Sequence, residues 1–360
     1  MKPPEIHKGR GALTNPEGRF ESIRKQAEAD GWDTPAEPED LPPLETVVRP
    51  DPSRSIISRN QSPDIPFSQS INPYKGCEHG CIYCYARPSH AYLNLSPGLD
   101  FETKLFYKAD AAALLDAELR RPGHKVSSIM LGANTDPYQP VEKEFKVTRS
   151  ILEVMRRFHH PVSIITKGTL ITRDLDILTE LAQERLVTVM VSITTLDDDL
   201  KRSLEPRAAS PRSRLKVVEA LAKAGVPVGV MTAPIIPMIN DAEMERILEL
   251  AAEAGACSAG YVLLRLPYEL KDLFKEWLAA HYPLKAEHVM SLIRQSRGGE
   301  EYQSEFGTRM RGTGKYAELI AQRFRLACKR HGLGLGRRMG HDTTRFRVPS
   351  EAGQLSLWGE

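Results

Sequence analysis

From about residue 69 the chain alternates short runs of β-branched and apolar residues with longer stretches whose apolar positions recur at helical spacing. The short runs predict strands over Gln69–Tyr74, Val126–Leu131, Val162–Thr166, Leu186–Ile193, Pro227–Thr232 and Gly260–Leu264. Between them, Ile151, Val154, Met155 and Phe158 mark one helical face at i, i+3, i+4, i+7, and Met244, Ile247, Leu248 and Ala251 mark another. The second helix is predicted to open on Asn240 as N-cap, with Glu243 three residues on, and to stop at Gly255. Such alternation implies an α/β fold with parallel strands and right-handed crossovers. Six units are too few to close an eight-stranded barrel.

The flanks read differently. Residues 1–66 carry eleven of the 26 prolines and few large apolar residues, which predicts an extended, partly disordered arm that wraps the core. Within it, Lys8-Gly-Arg-Gly11 reads as a solvated basic tail, with contact to an anionic partner as the alternative. After the core at 67–265 the chain turns helical and basic over 266–347, with helices from Lys271 to His281 and from Lys315 to His331. Met310-Arg-Gly-Thr-Gly-Lys315 forms a Gly-rich basic turn before the second, and this region is predicted to cap the open side of the core. Residues 348–360 read as a flexible tail.

Net charge is only +2, so its distribution says more than its sum: residues 291–347 hold thirteen Lys/Arg against five Asp/Glu. Clustered cations of that kind suit phosphate neutralisation, although a basic helix face is also commonly just solvated. The longest apolar candidate, Ala224 to Ile239, is broken by Pro227, Pro234 and Pro237, and the first ten residues lack an apolar h-region. A cytoplasmic protein with no membrane partner is the expectation.

Of the five cysteines, three fall together as C-x3-C-x2-C in Asn72-Pro-Tyr-Lys-Gly-Cys-Glu-His-Gly-Cys-Ile-Tyr-Cys-Tyr-Ala-Arg87. A 4Fe–4S cluster has four irons to ligate, and Cys77, Cys81 and Cys84 would serve three of them, leaving one iron open for another molecule. Structural zinc is the competing reading, but it wants four Cys or His ligands, usually from two paired knuckles, and only one such group is present. A disulfide framework fits poorly with an odd, sparse cysteine count. Cys257 and Cys328 read as buried structural thiols.

At these residues the chain resembles the radical S-adenosylmethionine (SAM) enzymes, which share C-x3-C-x2-C with an aromatic residue, here Tyr83, before the third cysteine. The resemblance implies an open (β/α)6 partial TIM barrel with the cluster loop after the first strand. It also implies SAM chelated to the open iron and cleaved, after reduction by a low-potential electron donor, to methionine and a 5′-deoxyadenosyl radical. Sites in such barrels lie at the carboxyl ends of the strands. There, Gly132 would let backbone approach the SAM amino group, Asn134 would add a polar group at the cavity mouth, Lys167 would pair with the SAM carboxylate, and Ser192 and Thr194 would offer hydroxyls. Apolar residues of Thr232-Ala-Pro-Ile-Ile-Pro-Met-Ile-Asn-Asp241 would seat the adenine. Asp136 is a substrate candidate, or an Asx turn before Pro137. Glu205 and Arg207, on a βα loop, would touch substrate or form a surface ion pair.

The segments at 72–87, Gly132-Ala-Asn-Thr-Asp-Pro-Tyr-Gln-Pro-Val-Glu142 and Leu204-Glu-Pro-Arg-Ala-Ala-Ser-Pro-Arg-Ser-Arg-Leu215 are most similar to the DNA-repair-photolyase-like branch, whose known enzyme is spore photoproduct lyase. That enzyme returns a hydrogen atom from a barrel cysteine. Here no cysteine lies between Cys84 and Cys257, so that donor is missing, and the hydrogen source is open, with a tyrosine such as Tyr85, Tyr92 or Tyr138 as one candidate. The substrate is open, and the basic C-terminal third, with Arg309, Arg311, Lys315, Arg323 and Arg325, favours a nucleic acid and with it DNA repair or modification. The reaction, of lyase or transferase type, stays open. The alternatives are a radical SAM enzyme acting on a protein or small metabolite, and a zinc-binding nucleic-acid adaptor. Finally, Gln354-Leu-Ser-Leu-Trp358 resembles the peptides by which bacterial repair proteins hold the sliding clamp, with three apolar anchors on a polar tail.

Overall fold

The computed structural model describes residues 6–20, 44–335 and 340–350. Its strands, in chain order, are β1 Val47–Pro50, β2 Ser58–Arg59, β3 Gln69–Ile71, β4 Tyr74–Lys75, β5 Lys104–Tyr107, β6 Ile129–Leu131, β7 Val162–Thr166, β8 Val187–Ser192, β9 Val228–Ile235, β10 Ser258–Leu263 and β11 Gly334–Leu335. The main sheet runs β2-β3-β6-β7-β8-β9-β10-β11. Every pairing from β3 to β11 is parallel, and only β2 is antiparallel to its neighbour. From β3 to β10 the spatial order follows the chain order, so six βα units lie side by side, and the sheet ends on β2 and β11 without closing. This is an open (β/α)6 partial barrel.

The six strands fall where the apolar runs predict them, with shifted ends. The first predicted run splits into β3 and β4, and the second shortens to Ile129–Leu131. Strand β9 instead continues through Pro234 to Ile235, beyond its last pairing with β8 at Met231. Its end pairs only with β10, across a register shift between Tyr261 and Leu263, which tolerates a residue without an N–H. Burial alternates along β7, where Val162, Ile164 and Thr166 are buried and Ser163 and Ile165 half-buried. Val162 and Ile164 join the same core as Ile151, Met155 and Ile177 from the helices outside the sheet. On the other face a row of hydroxyls crosses three strand positions, Ser128 to Ser163 at 3.0 Å and Ser163 to Thr188 at 3.2 Å.

Two expectations are corrected. Asn240 does not cap the helix Met244–Glu253, which a 3-10 turn at Asp241–Glu243 precedes. Its side chain folds inward, accepting from Ile236 N at 2.7 Å and donating to the Thr194 carbonyl at 2.8 Å, so it fastens the end of β9 to that of β8. Glu243 likewise accepts from Thr195 Oγ1 and Leu196 N. The helix does stop at Gly255, whose φ of +99° few other residues adopt. Cys257 is exposed rather than buried, with its thiol donating to the Val228 carbonyl, whereas Cys328 is buried as expected.

The described part of the arm does wrap the core, but Lys8-Gly-Arg-Gly11 is no solvated tail. Arg10 and Ala12 are buried, and Arg10 donates to the carbonyls of Glu102 and Leu44. The arm also supplies β1 to a small sheet of order β1-β5-β4, whose strands are too short to leave a periodic signal. At the other end, the predicted helices form as Leu270–His281 and Gly314–Arg330, with Ala286–Gln295 between. Residues 340–350 then cross the amino-terminal side of the sheet, where Arg347 N donates to the Phe158 carbonyl and Arg120 to that of Pro349. Pro349, predicted as part of the tail, is therefore docked. Gln354–Trp358 lie outside the described residues. Among the described residues no helix is long and apolar enough to cross a membrane.

Candidate active site

Strands β3 and β4 deliver the chain into the loop of residues 76–87. Gly76 and Gly80 turn it at φ +76° and +68°. A Cβ on Gly76 would come within 2.6 Å of Leu105 Cδ2 and 2.9 Å of the Phe101 carbonyl, so the turn is packed as well as left-handed. Cys77 N donates to Phe101 O at 2.9 Å and Ile82 N to Leu204 O at 3.1 Å. From inside, Arg87 donates to the carbonyls of Gly80, Cys81, Pro97 and Gly98 and pairs with Glu102. Gln139 braces the other flank, accepting from Glu78 N at 2.8 Å and donating to Gly76 O at 3.2 Å.

These contacts leave the three thiols in one shared space. Burial, then the Asp136 carboxylate and the other two cysteines, pushes Cys77 well up. Cys81 is pushed up to about 12 by burial and then by Glu205, and Cys84 is raised by burial. Burial alone therefore keeps these thiols protonated, and a bound metal would supply the positive charge that stabilises thiolates here. Among the described residues no three His, Cys, Asp or Glu side chains converge on a single ion, as zinc would require. A cubane takes one thiolate per iron and needs no such convergence. The donor set therefore fits a 4Fe–4S cluster held by Cys77, Cys81 and Cys84, with one iron left open.

Beside the loop, at the ends of β7 and β8, five of the predicted residues come together. Lys167 Nζ donates to Ser192 Oγ at 3.2 Å and stands 5.8 Å from the centroid of the Tyr83 ring. The Tyr83 hydroxyl lies 3.2 Å from Thr194 Oγ1, and both it and Thr194 donate to Glu205. Glu205 is fully buried and pairs with Arg214, not with Arg207. Burial works against its charged form, but Arg214 and then Lys167 outweigh burial and hold the carboxyl down at about 2. Through these contacts Glu205 ties Tyr83 and Thr194 to one buried carboxylate. Arg207 instead pairs with Glu78 on the cluster loop at 2.6 Å.

The segment after β6 is tied down too. Gly132, at φ +88°, has no room for a Cβ, which would meet the Ile165 carbonyl at 2.4 Å. Its constraint is the neighbouring strand. Asn134 N donates to Asn72 Oδ1. Asp136 forms the Asx turn, accepting from Tyr138 N at 2.8 Å, and also accepts from Thr166 Oγ1 and Lys167 N, with His79 Nδ1 at 3.4 Å. Burial raises this carboxyl, but His79 and these donors prevail and hold it at about 2. Asp136 thus locks the end of β7 to the cluster loop. In the basic region, Arg309 and Arg323 are engaged by Asp64 and Glu245, whereas Arg311, Lys315 and Arg325 are exposed.

The profile of the Radical SAM superfamily matches residues 71–251, half of the chain. The chain belongs to the radical SAM superfamily. Its cofactors are accordingly a 4Fe–4S cluster and SAM, and it is an enzyme. A Mycobacterium tuberculosis protein, described as uncharacterised, is 38% identical over 233 residues, 64% of this chain and 68% of its own. A Methanocaldococcus jannaschii protein, also uncharacterised, is 28% identical over 219 residues, 61% of this chain and 78% of its own. Among solved structures the fold is similar to that of spore photoproduct lyase with bound AdoMet and dinucleoside spore photoproduct, at a TM-score of 0.57, 15% identity and 81% coverage of both chains.

In this radical SAM enzyme the cysteine spacing pointed straight to the cluster loop, but its supports went unread. Arg87 ends the quoted motif, yet an arginine three residues past a cysteine carries no signal of burial. Glu102 and Gln139 reach the loop from elements distant in sequence, and Arg214 reaches it only through Glu205.

Proposed function

We propose that this radical SAM enzyme modifies or repairs a nucleic acid. One relationship carries the reading: the Gly-rich basic turn is stitched to the carboxyl end of β10, on the side of the sheet where the cluster loop lies. Leu263 N donates to Met310 O at 2.9 Å. Arg297 bridges the carbonyls of Leu263 and Leu264 to those of Thr308 and Arg309. Arg311 and Lys315 are thereby exposed cations at the mouth, where a phosphate backbone would be neutralised. Spore photoproduct lyase, of similar fold, has been solved with a dinucleoside lesion, and this supports the same substrate class.

When bound, the reduced cluster supplies the low-potential electron for cleavage of SAM. The chain's own part is positional. Lys167, steadied by Ser192, offers an ammonium for the SAM carboxylate. Buried Glu205, Thr194 and Arg214 fix Tyr83 beside the cysteines. Cys257 lies at the amino end of β10, remote from the mouth, so hydrogen return would not use it. We include a low-potential electron donor and, through Gln354–Trp358, a sliding clamp among the partners, in a cytoplasmic setting.

Retention of single- and double-stranded DNA and RNA, measured as salt is raised, tests the substrate class. Binding that falls steeply with salt, and SAM cleavage stimulated by one of these polymers, is the expected result. No retention at low salt contradicts it. Pull-down of purified clamp by the full chain, and not by a chain ending at Ala352, tests the tail.

A further inference from the structure

Arg265 stands at the mouth with an unanswered charge. It lies two residues past β10, and its guanidinium sits over the Tyr85 ring, 5.4 Å from the centroid. Tyr85 directly follows Cys84, and its hydroxyl reaches across to the Ala133 carbonyl beyond β6. The Arg265 side chain therefore spans the space between the cluster loop and the basic turn. Its Nη1 meets only the Met310 sulfur, at 3.4 Å, and its Nε is buried without a hydrogen-bond partner. Among the described residues no carboxylate forms an ion pair with it.

The neighbouring charge is another cation. Arg297 is 2% exposed, and its guanidinium donates to the backbone carbonyls of Thr308, Arg309, Leu263 and Leu264. Burial, and then repulsion from Arg265, holds Arg297 down at about 10. Two guanidiniums that repel one another with no carboxylate between them are costly, because no Coulomb attraction offsets their desolvation. Such a pair is tolerable where the anion arrives with the ligand.

We propose that Arg265 binds a phosphate of the nucleic-acid strand undergoing reaction, next to the bound SAM. This rests on the substrate class proposed above. A guanidinium presents a planar fork of donors suited to two phosphate oxygens, and one left with sulfur and an unpaired Nε has that fork to give. The SAM carboxylate is the competing anion. It already has a cation in Lys167, just past β7, three strands away across β8 and β9. The charge of the thiolate-bound cluster is the other competitor, and it would make Arg265 a determinant of iron retention.

The test compares cluster-loaded wild type with Arg265→Gln and Arg265→Lys. A fluorescein-labelled single-stranded oligonucleotide is titrated at several salt concentrations, and iron content and SAM affinity are measured on the same samples. Arg265→Gln should weaken oligonucleotide binding on the order of tenfold and lower the salt slope by about 0.7, the contribution of one phosphate contact on a single strand. Arg265→Lys should keep the slope and recover part of the affinity, and all three proteins should hold equal iron and SAM. Equal oligonucleotide affinity in wild type and Arg265→Gln overturns the inference while leaving the substrate class standing. Loss of SAM affinity or of iron in Arg265→Gln overturns it in favour of the competing anions. A wild type that retains no oligonucleotide at any salt defeats the substrate class itself, and the inference with it.

Discussion

Arg87 and Glu102 form an ion pair in which both side chains are shut off from solvent, and it joins the cluster loop to the arm that covers it. Arg87 spends its other donors on two carbonyls of the cluster loop and those of Pro97 and Gly98, and the Glu102 carboxylate also accepts from Gly11 N at 3.0 Å and Ala12 N at 2.8 Å. Removing one partner of a buried pair strands the other charge and costs about 3–5 kcal/mol. Glu102→Ala should therefore lower stability by that order and lose iron on purification, although it touches no cysteine. Chemical denaturation and iron content check this, and wild-type values for both would show that the pair is incidental.

Gly11 is the tightest point of the arm. A Cβ there would fall 1.8 Å from the Gly80 carbonyl, so Gly11→Val must lift the arm off the loop. Water then gains access to the outer face of the cluster loop, and the reconstituted cluster should bleach several-fold faster in air. Absorbance decay on exposure to oxygen measures this. An unchanged rate would mean that the arm is cover without consequence.

Lys167→Ala should weaken SAM binding roughly tenfold, the loss of one charge-assisted contact, while iron content stays at the wild-type level. Equilibrium binding of SAM to the oxidised, cluster-loaded protein reads this directly. Unchanged affinity removes Lys167 from the site.

The barrel and the cluster loop were legible because their signals are local. β7 is a run of five residues matching the predicted Val162–Thr166, and three cysteines at fixed spacing in one loop leave few readings. Lys167, Ser192 and Tyr83 could be brought together only by the rule that parallel strands gather their carboxyl ends. What stayed hidden depends on distant pairing. Glu205, on a charged loop, reads as a substrate contact or as half of a surface ion pair with Arg207, yet Arg214, nine residues on, draws it inside. Asn240 was read as a cap because the local pattern allows it, whereas the Thr194 carbonyl, brought close by the sheet, takes its side chain.

Acid should destabilise the fold through His160. This ring is fully buried, its Nδ1 donates to the Pro161 carbonyl at 3.0 Å, and its Nε2 faces His124 Nε2 at 3.2 Å. Burial, opposed by the Pro161 bond, lowers it to about 4, below the usual histidine value of about 6.5. The unfolded chain therefore takes up the proton first. Its contribution to stability is complete above about pH 6.5 and declines as pH falls toward 4, by at most about 1.4 kcal/mol per pH unit. His160→Gln should flatten the pH dependence of the denaturation midpoint over that window. A curve parallel to wild type would assign the acid sensitivity elsewhere.

The most direct measurement is 5′-deoxyadenosine formation from SAM by anaerobically reconstituted, dithionite-reduced protein, run beside a variant with Cys77, Cys81 and Cys84 all replaced by alanine. The wild type should carry four irons and four sulfides, as the cubane requires, and produce 5′-deoxyadenosine, while the variant carries neither iron nor activity. A variant that still holds the full cluster, or a loaded wild type that leaves SAM intact on reduction, would contradict the account.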